Sequence, residues 1–364
     1  MKLPTAAVSA IILGLASAKT TTITTTCGKT IQQAIDDAHP GDRIVVEKGT
    51  YAEQLTISKN GISLIGHEAT LSVPGTPVHN TCSGLAGPDV TNQVDPTVDT
   101  QAGICITGTD VSLARWEFEH RTFNSVGSTV KEVSVKGFTV NGFGLGVAVV
   151  GARDTTVSGN TLIDNNFYGA LTVGSKNTVF KHNTVYSTPL PFPFIRVIGI
   201  CMDDRNSVSV HHNEISNYWV GLCLQTNEAN VYENRVHDTC IGAFVDPNVD
   251  GAKVHDNDIS GTGTNCRAPD GSDNPIFGGQ VYGIVMSGAI NTVVKGNKIH
   301  DKLGLGYGIA IMDDASGAVA SGNLVEKNNV TGNEIDIHVE TIGKKNVVKK
   351  NNLCASSFPS GLCK

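Results

Sequence analysis

The stretch IGICMDDRNSVSVHHN (198–213) carries two adjacent aspartates, an arginine and two adjacent histidines in an otherwise apolar, β-branched run. It is one copy of a pattern. LGVAVVGARDTTVSGN (145–160), YGALTVGSKNTVFKHN (168–183), VGLCLQTNEANVYEN (220–234), IGAFVDPNVDGAKVHDN (241–257), YGIVMSGAINTVVKGN (282–297) and YGIAIMDDASGAVASGN (307–323) repeat it. An earlier copy reads AGICITGTDVSL (102–113), and a decayed one reads IDIHVETIGKKNVVKKN (335–351), with Asp336 in place of the glycine. Each copy has a Gly, a short alternating strand, a turn, a second strand and usually an Asn. The asparagines fall at 160, 183, 213, 234, 257, 297, 323 and 351.

A period just above twenty residues, filled by short strands, predicts a solenoid coil. The apolar residues alternate at period two, which excludes helix. A right-handed parallel β-helix of roughly ten coils fits best, one strand per face per coil; a leucine-rich solenoid is disfavoured because Leu is sparse. Asn suits a tight corner, because it tolerates left-handed backbone and its amides can ladder between coils.

The 364 residues carry 27 Lys+Arg against 34 Asp+Glu, a formal net charge of −7. Neither the bulk charge nor any basic run suggests nucleic acid. Lys2 followed by PTAAVSAIILGLASA predicts a secretory signal peptide over 1–18, with a single domain over 19–364. That apolar run is too short to span a bilayer, so a secreted protein with no membrane partner, and a monomer, is expected. All nine cysteines follow the leader; most should pair in an oxidising compartment. Cys354 and Cys363 are expected to staple the tail. Asn329-Val330-Thr331 is a glycosylation sequon.

The segment TIQQAIDDAHPGDRIVVEKGTYAEQLTISKNGISLIG (30–66) opens with a short amphipathic helix, Ile31, Ala34, Ile35 and Ala38 on one face, that would cap the open end of the stack. This opening and the Asn-x-[Ile/Val] coils resemble the pectin-lyase-like superfamily of secreted β-helix proteins over nearly the whole mature chain. The resemblance implies action on an extracellular polysaccharide, pectic or other uronic-acid polymers first, by a lyase or hydrolase. A non-catalytic glycan-binding protein and an enzyme of a small apolar metabolite stay open, since fold does not settle reaction. The Asn-Thr-Asp, Gly-His-Gly and Arg-Ile-Lys set of polygalacturonases and the Trp-x-Asp-His motif of pectate lyases are absent from the chain.

Strand alternation sorts the side chains. After each Gly the first and third residues point into the coil, as Ile200 and Met202, or Leu222 and Leu224. The second and fourth point out. The fourth column places Asp203, Gln225 and Asp246 on successive coils, the outer pair roughly 10 Å apart from the stacking distance. Asp204, Arg205 and Asn248 lie at the strand ends, and Phe244 in the second column. Insertions at 74–101, 187–197 and 262–281 precede Gly strands and are expected to wall a groove, carrying Arg196 and Arg267. Asp203 and Asp246 are the expected acid/base pair, with Gln225 and Arg205 beside them and Arg196, Asp204, Asn248 and Phe244 binding substrate. A Ca²⁺ site using Asp204 is an alternative; strand-ending turns are the plain reading. A second polar corner, His182, His212, Glu233 and Asp256, precedes the ladder asparagines. Cys201 and Cys223 face out from adjacent strands within disulfide range.

Overall fold

The front sheet decides how the coils stack. Eleven parallel strands lie in chain order, from Leu55–Ile57 through Ala102–Thr107, Leu145–Val150, Tyr168–Val173, Arg196–Asp203, Tyr218–Leu224, Ile241–Val245, Tyr282–Ser287, Tyr307–Met312 and Ile335–Glu340 to Ser357–Phe358. The computed structural model describes residues 18–88, 99–117, 119–301 and 304–363. The expected leader up to residue 17 and positions 89–98 of the first insertion lie outside the described residues. Each coil adds two three-residue strands on the other faces, for example Val179–Lys181 and Thr184–Tyr186, paired in parallel with the next coil. The chain is a right-handed parallel β-helix.

The inward residues form one continuous core: Ile200, Met202, Leu222, Leu224, Ala243, Val245, Ile284 and Met286 are all fully buried. The helix Ile31–Asp37 caps it. Thr30 and Gln33 close a capping box, and Ile31, Ala34 and Ile35 are buried on the first coil.

The corner between the two short strands is an amide ladder. Asn160, Asn183, Asn213, Asn234, Asn257, Asn297, Asn328 and Asn352 each accept from the rung before through Oδ1 or donate to the rung after through Nδ2. Two expected members differ. Asn323 belongs to a separate ladder with Thr292 and Asn346, and Asn352 rather than Asn351 ends the main one. The left-handed backbone belongs not to the Asn but to the residue before it, at φ 54° for His182 and His212, 52° for Glu233 and 55° for Asp256. This frees the Asn to turn its amide inward.

The recurring Gly has a different cause. A Cβ on Gly199 would sit 2.7 Å from the carbonyl oxygen of Gly221 and 2.5 Å from Ile215 Cγ2. The same close approach to the next coil's carbonyl recurs at Gly146, Gly169, Gly221, Gly242, Gly283 and Gly308. The backbone cannot yield without shifting its neighbour, so Gly199→Ala should cost about 1–3 kcal/mol by overpacking. A matching drop in the urea midpoint, at unchanged slope, checks this.

The outer face of the front sheet is not bare. Val150, Leu171, Val173, Cys201, Val285 and Ala310 are buried under Leu85, Ala86, Leu113, Phe123 and Trp219. The apolar outer column is therefore a second core under loops. Part of that cover is an antiparallel hairpin, Ser112–Glu117 with His120–Ser125, where sequence alone suggested a coil.

Candidate active site

Register builds the floor of the site. Met202 pairs with Leu224, and Leu224 with Val245, so the next residues, Asp203, Gln225 and Asp246, line up on three successive coils. The hairpin turn then lowers Glu119 and His120 onto this stripe. Arg121 holds the hairpin in place: its backbone N–H donates to the Leu85 carbonyl at 2.8 Å, and its guanidinium to the carbonyls of Ala114 and Leu113 at 3.0 and 3.1 Å.

His120 is 2 % exposed. Its Nε2 lies 3.2 Å from Asp203 Oδ2 and its Nδ1 3.4 Å from the Tyr168 hydroxyl. The tautomer that serves both contacts donates from Nε2 to the carboxylate and accepts the tyrosine proton at Nδ1. Gln225 Nε2 donates to Glu119 Oε2 at 3.2 Å. Below them Cys223 Sγ is 3.8 Å from Glu119 Oε2 and 3.9 Å from Asp246 Oδ2. Asp314, held by the Ser287 hydroxyl at 2.8 Å, closes the far side. Glu119, His120, Asp203, Gln225, Asp246 and Asp314, with Phe244, Pro247, Val249 and Ser316, line an open cavity of about 670 Å³.

The carboxyl groups differ in charge preference. Burial, reinforced by the negative charge of Glu119, pushes Asp246 well above the carboxylate range, and Gln225 only tempers this. Burial also raises Glu119, against the opposing pull of His120. Asp314 is pushed up by burial but brought below its usual value by hydrogen bonds from Ser316 and Ser287. The cavity thus holds two carboxyl groups biased towards their protonated forms, Asp246 and Glu119, beside Asp203 and Asp314, which have strong donors. The donor atoms of Glu119, His120 and Cys201 all lie within 4.8 Å of one another.

Of the residues expected from the sequence, Asp203, Gln225, Asp246 and Phe244 meet in the cavity; the others do not. Arg196, at the opposite end of its strand, pairs with Asp164 at 3.2 Å and donates to Ser187 Oγ. Arg205 donates to the Gly174 carbonyl and lies 4.9 Å over the Phe123 ring. Asn248 occupies a left-handed turn position, φ 64°, beyond the cavity wall. The insertions at 187–197 and 262–281 wall nothing here. They pack on each other through Asn265, which donates to the carbonyls of Leu190 and Phe194 at 2.6 and 2.7 Å, and Cys240–Cys266 staples the second. Sequence reasoning missed Glu119 and His120 because the hairpin interrupts the repeat; the acidic-aromatic run RWEFEHR (115–121) was its only mark.

Asp204 departs furthest. It is 4 % exposed and forms a rung of a second corner ladder: Ser175 N–H donates to its Oδ1 at 3.1 Å, and its own N–H to Thr226 Oγ1 at 2.7 Å. It faces the coil corner rather than the cavity, whose lining does not include it. Burial pushes its carboxyl up to about 7. Its Oδ2 and the hydroxyls of Thr172 and Thr178 are buried without a hydrogen-bond partner, though near enough for the hydroxyls to moderate the shift. A raised folded value means stability fully present below the unfolded carboxyl range and lost as pH rises through about 7. Asp204→Asn should abolish this loss, roughly 4 kcal/mol, so the variant should melt higher than wild type at pH 8 and show a flatter melting profile between pH 4 and 8.

The cysteines are settled in part as expected. Cys354–Cys363 is a disulfide, as are Cys82–Cys105 and Cys240–Cys266. Cys201 and Cys223 instead remain thiols, stacked in register and almost fully buried; burial pushes Cys201 up to about 12. The histidine corner is a half-exposed surface stack, with His212 paired to Glu233 at 3.0 Å and His211 stacked on Tyr232. Asn329 is exposed on a strand.

A family described as "Periplasmic copper-binding protein (NosD)" matches residues 39–274, well over half of the chain, and one described as "Right handed beta helix region" matches residues 198–358. No curated protein matches. Among solved structures, DFA-IIIase from Arthrobacter chlorophenolicus, without its lid, is 13% identical, with TM-score 0.55 over 87% of this chain and 88% of that one. A surface adhesin of Streptococcus pneumoniae is 13% identical, TM-score 0.54, over 90% and 86%. An alginate lyase from Paenibacillus is 13% identical, TM-score 0.50, over 93% and 99%. At that identity the likeness is one of fold.

Proposed function

We propose, for a chain that belongs to the NosD family of periplasmic copper-binding proteins, that the cavity over the front sheet hydrolyses glycosidic bonds outside the cytoplasm. The observation that carries this reading is the carboxyl set: Asp246 raised by burial and by Glu119, and Asp203 held by His120, two coils apart. Asp246 is the general acid for the leaving oxygen. Asp203, oriented by His120, is the base that takes a proton from water. Their stacking separation of roughly 10 Å between backbones leaves room for that water and favours inversion. Three disulfides and the expected leader support a secreted protein.

The substrate is a neutral glycan rather than a polyuronate. Glu119, Asp203, Asp246 and Asp314 line the cavity without a Lys or Arg among the lining residues, so an anionic polymer would meet repulsion. A lyase acting on uronates needs a cation to neutralise the substrate carboxylate, and the arginines suggested by the sequence are tied elsewhere. The family description names copper. The imidazole, thiol and carboxylate donors of His120, Cys201 and Glu119 suit a soft or borderline ion; such an ion would supply Lewis acidity, while the acid and base roles above belong to Asp246 and Asp203.

Secreted protein incubated with neutral and uronic glycan panels tests the reading. Reducing ends from a neutral glycan, of inverted anomeric configuration by NMR, are expected. Unsaturated products from a uronate would make it a lyase, and retention without turnover would make it a glycan-binding protein.

A further inference from the structure

A second groove lies away from the front sheet, on the first short strand of each coil. The last residue of that strand faces solvent, and register aligns Lys136, Ser158, Lys181, His211, Tyr232 and His255 in one column, one rung per coil. Towards the N-terminal cap the column opens into a groove of about 410 Å³, walled by Arg43, His67, Lys136, Lys181 and His182 with no carboxylate among the lining residues. Its floor is backbone: a Cβ on Gly66 would sit 2.7 Å from the Gly137 carbonyl oxygen. The chain as a whole carries a net charge of −7. Elsewhere its coils pair their lysines across rungs, Lys48 with Glu68 at 2.6 Å, Lys298 with Asp258 at 3.5 Å and Lys349 with Glu326 at 2.5 Å. Arg43, Lys136 and Lys181 have no ion-pair partner among the described residues. The positive field reaches the next rung. Burial first, then His212, Lys181 and His182, holds His211 below its usual value.

We propose that this groove anchors the protein to a linear anionic polysaccharide, a polyuronate, laid along the helix axis, while the front cavity stays open to its own substrate. Three unpaired cations complement a chain with a carboxylate on every sugar. Lys136 and Lys181, two rungs apart, stand roughly 10 Å from each other by the stacking distance, so an extended polymer meets both. Beyond them His211 stacks on Tyr232 at 4.7 Å, and Tyr232 on His255 at 5.1 Å. These rings cover one another's faces and present their edges, whose N–H and O–H groups suit sugar hydroxyls. Unpaired nucleic-acid bases would need open ring faces. A lipid surface would need large apolar side chains, and no exposed one lies on the column among the described residues. Carboxylates return at Glu233, held by His212 at 3.0 Å, and at Asp256, held by His255 at 2.8 Å. The anion-binding part therefore ends at His211.

The anchor goes beyond the hydrolytic reading, and its test does not use turnover. Full-length protein is titrated by calorimetry with oligogalacturonates of defined length, with dextran, with single- and double-stranded DNA, and with phosphatidylserine vesicles. Binding to the oligogalacturonates is expected, rising with their length and weakening as NaCl rises from roughly 50 to 500 mM. Lys136→Gln and Lys181→Gln should each weaken it about 2–5-fold, the worth of one exposed ion contact. With Arg43→Gln added, the triple variant should lose roughly 10–100-fold, since separated sites add. The charge-keeping Lys136→Arg should bind as wild type does. Lys29→Gln, whose lysine pairs with Asp37 beside the cap, should change nothing, and neither should Asp246→Asn. Loss of anchoring and loss of turnover are thereby read separately. Circular dichroism checks that each variant is folded. No binding, equal binding to dextran, or tighter binding to DNA or vesicles overturns the proposal. So does binding that survives the folded triple variant, and binding lost in Asp246→Asn instead would put the polymer in the cavity.

Discussion

Asp246→Asn should lower kcat on a neutral glycan by about 10³-fold with little change in KM, within the range that a positioned general acid supplies. An amide keeps the shape and the place beside Gln225 but cannot deliver a proton. Asp203→Asn should cost a similar factor by removing the base and stranding His120. His212→Ala, on the exposed corner, should leave turnover intact. The pH profile of wild type should fall on the alkaline side as Asp246 loses its proton, at a pH above the usual carboxylate range because burial and Glu119 raise that group. Stability runs in the same direction: a raised folded value contributes below the unfolded carboxyl range and is lost as pH rises through the folded one. Asp246→Asn should therefore melt at or above the wild-type temperature at neutral pH. Steady-state rates and melting curves on the same preparations check both halves; a variant that is inactive because it has lost its fold would show in the second.

The largest stability loss is expected in the amide ladder. Asn213 Oδ1 accepts from both the backbone and the side chain of Asn183, at 3.0 and 2.9 Å, while its Nδ2 donates to the Phe180 and His211 carbonyls and to Asn234 Oδ1. It is 2 % exposed. Asn213→Ala leaves the Asn183 N–H and the Phe180 carbonyl buried without these partners, about 1–3 kcal/mol each and so roughly 2–6 kcal/mol in all. That is a large part of an ordinary domain's total of about 5–15 kcal/mol. Chemical denaturation at constant pH measures it. A loss below about 1 kcal/mol would mean that water replaces the missing amide.

The stack was legible because its physics is local and repeated. Every coil needs an interior Ile, Val, Leu or Met at alternate positions, a Gly where carbonyls pass closely, and an Asn at the corner. One copy therefore reads the next. The floor of the cavity followed from the same logic, since strand register alone aligns Asp203, Gln225 and Asp246. Asp204 did not follow, because at a strand end the alternation stops and a corner residue can turn either way; here the Ser175 N–H draws it inward. The arginines were misplaced for a related reason. An insertion before a strand emerges at the end opposite to Asp203. Glu119 and His120 were hidden because the hairpin that carries them has no sibling, and their partners lie 48 to 106 residues away in sequence.

That hairpin also changes how the solenoid comes apart. A stack in which each coil touches only its neighbours behaves as a one-dimensional chain that can fray from either end. The hairpin leaves the stack after Ala102–Thr107 and is tied to Tyr168, Asp203, Cys223 and Gln225 on later coils. It acts as a strap across several rungs and joins them into one cooperative unit. Amide exchange should accordingly show a block of common protection through the strapped coils, with faster exchange beyond Tyr307–Met312, where no such strap crosses among the described residues. An occupant of the cavity would tighten the buckle and slow exchange throughout that block at once, including rungs that it never touches.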